Sequence, residues 1–172
     1  MRLHNEQVPG FEDVDDLLPQ MHLIDGMGDS FEFWARMAQS QGSKPIIFVD
    51  GDKIRRVKQQ KLQEKIKDIQ VIHLDEGLEF EDLVFPETYF QALAQTSGQV
   101  IEYSKYLDWK ASSGLPKKMM FSKCVDRWLQ DTYGFSLEKP ETMKRAIELA
   151  TLDQLHIEKL RELVSAIRSL VS

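Results

Sequence analysis

The sequence has little of what a cross-linked or membrane-spanning fold requires. A single cysteine, Cys124, in 172 residues excludes an internal disulfide framework and a cysteine-based zinc site, and suits a reducing compartment. Apolar runs such as Pro45-Ile46-Ile47-Phe48-Val49 stop at about five residues, where a membrane span needs roughly 20. The polar opening Met1-Arg2-Leu3-His4-Asn5-Glu6 lacks the apolar core of a secretion signal. No Gly-x-x-x-x-Gly-Lys-[Ser/Thr] loop occurs, so no P-loop ATPase is expected. A net charge of −6, from 22 basic and 28 acidic residues, argues against a uniformly basic surface for coating nucleic acid, though it leaves room for a local basic face. What remains is 42% hydrophobic and 29% charged, the balance of a globular chain long enough to bury a core. A soluble, cytoplasmic protein without a membrane partner is expected.

The chain reads as three regions. Residues 1–20 form a loose acidic segment, with Glu12, Asp13, Asp15 and Asp16 between Pro9 and Pro19. Over 21–97 the pattern is α/β. Met21–Ile24 is a short strand, and Asp29 or Ser30 caps a helix to about Ser40 with Phe31, Trp34, Ala35 and Ala38 inward. Ile46–Val49 is a strand buried on both faces, residues 53–67 form a basic helix with Ile54, Val57, Leu62 and Ile66 inward, and Gln70–Leu74 is a further strand. Short links between these elements imply parallel strands. The region 98–172 is a helical extension packed on that domain. Helices are expected over 87–96, 99–111, 118–132, 140–150 and 152–171, punctuated by Gly98, Gly114-Leu115-Pro116 and Gly134.

Ligands of a parallel sheet bind just beyond the carboxyl ends of its strands, which is where Asp50-Gly51-Asp52 falls. Two carboxylates at i and i+2 repel each other and favour a divalent cation, magnesium being the hard ion suited to oxygen ligands. An acidic turn that merely caps the next helix has the same residues. A second acidic group, Asp75-Glu76 and then Glu79-Phe80-Glu81-Asp82, follows the next strand. Glu79, Glu81 and Asp82 are candidate ligands for one or two metals, or acids that only favour a helix N-terminus. Seven cations crowd residues 53–67 against one acid, Glu64. Of these, Lys53, Arg55, Arg56 and Lys58 are the candidates for gripping a phosphate backbone, against the commoner reading of a solvated helix face. His4, His22, His73 and His156 show no ligand spacing, with His73 expected to pack in a strand, and Cys124 is expected to pack too. Leu160, Leu163, Ile167 and Leu170 form an apolar stripe suited to the domain core or to a partner helix in a homodimer.

In order and spacing, Ile46-Ile-Phe-Val-Asp50-Gly-Asp52, the basic helix, a strand, then Phe80-Glu-Asp-Leu-Val-Phe85 through Tyr89-Phe90 resembles the Toprim domain of the OLD (overcoming lysogenization defect) family of nucleases. Met21-His-Leu-Ile-Asp-Gly-Met-Gly28 is similar to the strand and glycine turn that precede the Asp-x-Asp in such domains. The likeness runs over about residues 21–95. It implies a Toprim-like parallel sheet flanked by helices with a helical C-terminal extension, and magnesium- or manganese-dependent endonuclease cleavage of DNA. An ATPase domain or subunit often accompanies such domains in antiphage or repair systems. By position, Asp50, Asp52 and Glu81 would be catalytic metal ligands, Asp82 would join them, and Lys123 would be the assisting lysine. The family opens on a strand ending in Glu-Gly with an acid beyond. Here the nearest match is Val8-Pro9-Gly10-Phe11-Glu12-Asp13, with Pro9 at the glutamate's place and Asp13 at the acid's. A piece of a longer chain, a separately encoded piece and a domain that has lost catalysis are the three accounts of that departure.

Two other functions share these residues. One is a non-catalytic Toprim-like module that docks a partner or dimerises. The other is a haloacid dehalogenase-type phosphatase, whose Asp-x-Asp supplies nucleophile and acid, although such motifs usually open their domain.

Overall fold

A computed structural model describes residues 9–11, 31–51, 61–67, 69–116 and 118–171. The chain divides into two compact units, Met1–Glu76 with Glu158–Ser172, and Gly77–Ile157. The division expected at residue 97 falls inside the second unit.

The first unit is a mixed α/β arrangement. Helix α1 (Phe31–Ser40) is followed by strand β1 (Ile46–Val49) and, after a crossover, by strand β2 (Gln70–His73). β1 and β2 pair in parallel, with Ile46 opposite Gln70 and Val49 opposite His73. The Leu74 N–H extends the ladder by donating to the Val49 carbonyl at 3.0 Å. Within the crossover, residues 61–65 are helical. The expected inward positions Leu62 and Ile66 are buried with Ala35, Ile47, Val49 and Ile69 in one core, so helices flank the two-stranded sheet. Ile46 and Phe48 are half-buried, so β1 has one fully covered face. β2 is barely covered at its ends, and His73 is exposed, which corrects the expectation of a packed core histidine. It is the last residue of a four-residue strand, past Val71, which packs on that core.

Helix α6 (Ile157–Val171) belongs to this unit from Glu158 onward. The Arg161 guanidinium donates to the Pro9 carbonyl at 2.8 Å and that of Arg168 to the Gly10 carbonyl at 3.4 Å. Pro9 and Gly10 form a turn, Gly10 at φ +91°, and Phe11 is buried. The strand expected at 21–24 and residues 53–60 of the basic helix lie outside the described residues.

The second unit is helical. A 3-10 turn (Phe80–Leu83) leads into α2 (Pro86–Ser97), α3 (Tyr103–Ser112), α4 (Phe121–Tyr133) and α5 (Lys139–Leu149). These match the expected helices to within a few residues. Pro86 and Pro140 open α2 and α5, where a missing N–H costs nothing. Gly98 and Gly134 close α2 and α4 at φ +66° and +76°. Ala92 of α2 and Ala146 of α5 are both fully buried, and their small side chains let these helices pack closely. An aromatic cluster fills the centre: Phe90 meets Tyr103, Tyr106 and Trp128 at ring-centre distances of 5.0, 5.0 and 5.6 Å.

The helix expected over 152–171 is interrupted. Leu152–Gln154 is a separate 3-10 turn, and Leu155 is extended and bridges Val84 in antiparallel fashion. The Phe85 N–H donates to Gln154 at 2.9 Å and the His156 N–H to Leu83 at 3.0 Å. This pairing of the unit's two ends consumes backbone groups that a continuous helix would need. No helix among the described residues is long and apolar enough to cross a membrane.

Candidate functional site

Asp50 follows the last residue of β1 directly, at the carboxyl edge of the parallel pair. It is only 8% exposed, and Gly51 after it is buried as well. A buried carboxylate at a strand's carboxyl end is where the pattern placed it. Its companion Asp52, the cations Lys53, Arg55, Arg56 and Lys58, and Asp13 of the opening motif lie outside the described residues.

The second acidic group has a defined geometry of its own. The turn at Phe80–Leu83 buries Glu79 and Glu81 to 2% and 5% exposure, because Leu83 and Val84 are drawn into the core on the same short stretch. Asp82 is half-buried, and its Oδ2 accepts the Glu79 N–H at 2.7 Å, so this carboxylate holds the turn closed.

Glu79 caps a distant helix. Its Oε2 accepts the backbone N–H of Ser122 at 2.6 Å and its Oε1 the Ser122 hydroxyl at 2.6 Å. Ser122 is the second residue of α4, whose preceding Met120 offers no capping side chain. The first amides of a helix lack internal partners and sit at the positive end of its dipole. A buried carboxylate brought from 43 residues away supplies what Met120 cannot.

Glu81 is engaged differently. Lys139, the first residue of α5, places its Nζ 3.2 Å from Glu81 Oε1 and 3.4 Å from Glu79 Oε1. Burial pushes the Glu81 carboxyl above the usual carboxylate range, against the pull of the Lys139 ammonium, and the charge of Glu79 adds to the rise. Tyr89 is fully buried, and its hydroxyl has no hydrogen-bond partner. Burial and then the charges of Glu81 and Glu79 hold that phenol firmly protonated.

The residues thus sort themselves by role. Among the described residues the lysine in contact with these acids is Lys139, while Lys123 is exposed on α4. Pro140 marks the start of α5 and so puts Lys139 at a helix N-terminus, but nothing local joins it to Glu81. Cys124 is buried, its Sγ lies 3.7 Å from the Met119 carbonyl, and burial raises its thiol pKa, as packing implies. No set of three or more His, Cys, Asp or Glu side chains converges as a metal site among the described residues. No family model matches the chain, and no curated protein or solved structure matches it.

Proposed function

We propose that the chain carries the metal-binding acids of a Toprim-type, magnesium- or manganese-dependent DNA endonuclease of the OLD kind. The observation that carries this reading is Asp50, a buried carboxylate at the carboxyl end of a parallel strand, with Gly51 and Asp52 directly after it in sequence. Each unit brings its own acids: Asp50 and Asp52 in the first, Glu79 and Glu81 in the second. Glu79 is committed to capping α4, which leaves Glu81 as the second unit's acid for chemistry. The donors are carboxylate oxygens, which fit a hard divalent ion and not a soft one; Asp50 and Asp52 would hold it. When bound, such an ion makes water a nucleophile near neutral pH and neutralises charge on the phosphoryl oxygens. Lys53, Arg55, Arg56 and Lys58 would hold the DNA backbone by neutralising its phosphates.

A second reading, the non-catalytic docking module, is favoured by one feature: Glu81 already has a cation in Lys139. Calorimetric titration of the full chain with magnesium and manganese separates the two. The nuclease reading expects binding that weakens at least tenfold in Asp50→Asn and in Asp52→Asn. Absence of binding to the unaltered chain assigns it to the docking class.

A further inference from the structure

The cations of the second unit are of two kinds. Lys105, Arg127 and Arg145 each pair with an acid three or four residues away along the chain. Lys110, Lys118 and Lys123 are exposed and enter none of the ion pairs described. All three come from residues 109–125, a stretch with four lysines and no acid in a chain whose acids outnumber its bases. The fold gathers them. The Lys110 ammonium lies 5.7 Å from the centre of the Tyr106 ring, and that ring lies 6.3 Å from Phe121, the first residue of α4. Lys118 sits in the turn just ahead, where the Met119 N–H donates to the Pro116 carbonyl at 3.0 Å, and Lys123 is on the first turn of α4. Asp108 is two residues from Lys110 and so falls about 200° around α3 from it. Glu79, which reaches this end of α4, is buried and already held by Ser122 and Lys139.

Beside these cations runs a series of rings. Tyr103, Tyr106 and Trp109 follow one another along α3 with ring centres 6.1 and 6.3 Å apart and planes 20° and 27° from parallel. Tyr106 is buried in the middle. Trp109 ends the series half-buried, next to Lys110 in sequence, and among the described ring contacts it meets Tyr106 alone. An aromatic ring at the edge of a set of unneutralised cations is what proteins offer to a single strand, whose bases stack on the ring while the ammonium groups offset its phosphates. A duplex keeps its bases stacked within and presents the phosphates alone.

We propose that Lys110, Lys118 and Lys123, with Trp109, form a surface of the second unit that binds single-stranded DNA. The inference rests on the nuclease reading for the choice of DNA over other polyanions. It adds to Lys53, Arg55, Arg56 and Lys58, which would grip phosphates whether or not the bases are paired, a surface that favours unpaired ones.

The test is fluorescence anisotropy of a fluorescein-labelled oligothymidylate titrated with the full chain in chelator, which prevents cleavage, at several salt concentrations. Lys110→Gln, Lys118→Gln and Lys123→Gln combined should weaken binding at least tenfold and flatten the slope of log affinity against log salt by about 2, at about 0.7 per phosphate contact. Trp109→Leu should weaken binding about tenfold with the slope unchanged, and Trp109→Phe, which keeps a ring, should retain most of the parent's affinity. Unaltered binding in the triple variant or in Trp109→Leu overturns the proposal, and so does a duplex bound as tightly as the single strand. Displacement of the strand by polyglutamate as readily as by unlabelled DNA marks a site for acidic protein and overturns it too. If strand binding ignores these substitutions while the unaltered chain nicks plasmid in magnesium, the inference falls and the nuclease reading stands. If binding responds as expected but no plasmid is nicked, the surface stands and the nuclease reading falls. An unaltered chain that binds no strand overturns the inference whatever the plasmid shows.

Discussion

Ser122→Ala is the most direct probe of the polar cluster that organises the second unit. It deletes one 2.6 Å hydrogen bond to a carboxylate that is 2% exposed, while leaving the backbone N–H bond to the same carboxylate. Hydrogen bonds to charged groups contribute about 1.5–3 kcal/mol, and a buried acceptor stripped of a donor sits at the costly end, so a loss of about 2 kcal/mol is expected. Glu79→Gln keeps the volume but removes the charge at the start of α4 and one partner of Lys139. Because that lysine is 41% exposed and can turn to water, the cost should stay near about 2–3 kcal/mol, below the range for fully buried ion pairs. Once residue 79 is neutral, the hydroxyl of Ser122 makes only an ordinary hydrogen bond of about 1 kcal/mol. The double variant should therefore lose at least about 1 kcal/mol less than the two single losses combined. Urea unfolding followed by tryptophan fluorescence reads this, since Trp128 is buried in the core of the second unit. Additivity within about 0.5 kcal/mol, the behaviour of independent sites, would refute the idea that Glu79 caps α4 through Ser122.

Three further outcomes follow from the same geometry. Tyr89→Phe removes a hydroxyl that has no hydrogen-bond partner; the variant should be as stable as the parent or up to about 1 kcal/mol more stable, and a loss above that size in urea would show a partner the structure lacks. The Glu81 carboxyl is raised in the folded chain, first by burial, so the folded state holds its proton to higher pH than the unfolded chain. This contribution to stability is complete below the ordinary glutamate pKa and is lost as pH rises through the folded value. The gain in urea midpoint between pH 7 and pH 5 should accordingly be smaller in Glu81→Gln than in the parent, and an equal gain would contradict the shift. Gly134→Ala places a methyl group in open space but at φ +76°, so it should cost about 1–2 kcal/mol of backbone strain alone; a neutral result would mean that α4 ends differently.

Much of the framework is written locally. Ile46–Val49 is a run of strand formers ending in an aspartate, and it is β1; Gly98 and Gly134 stop α2 and α4 where left-handed backbone is required. Helix positions Leu62 and Ile66 point inward as their spacing implies. The features that escaped are those made by partners far along the chain. Leu155 carries no breaker of its own, and the helix halts there because Val84 takes its backbone. Glu79 and Glu81 look alike in sequence, yet one caps a helix 43 residues on and the other shares a lysine set 60 residues beyond Glu79. Lys123 and Lys139 are both lysines near a helix start, and only the folded chain shows which meets the acids. A signal was present in Met120, a residue unable to cap the helix it precedes, which asks for a carboxylate from elsewhere.

The central claim is tested most directly by plasmid nicking. Supercoiled DNA incubated with the full chain should be nicked in magnesium or manganese and left intact in chelator, and Asp50→Asn and Asp52→Asn should each reduce the rate at least a hundredfold while retaining the parent's unfolding transition. Nicking that persists undiminished in both variants, or intact plasmid at every metal concentration with the unaltered chain, would contradict the account.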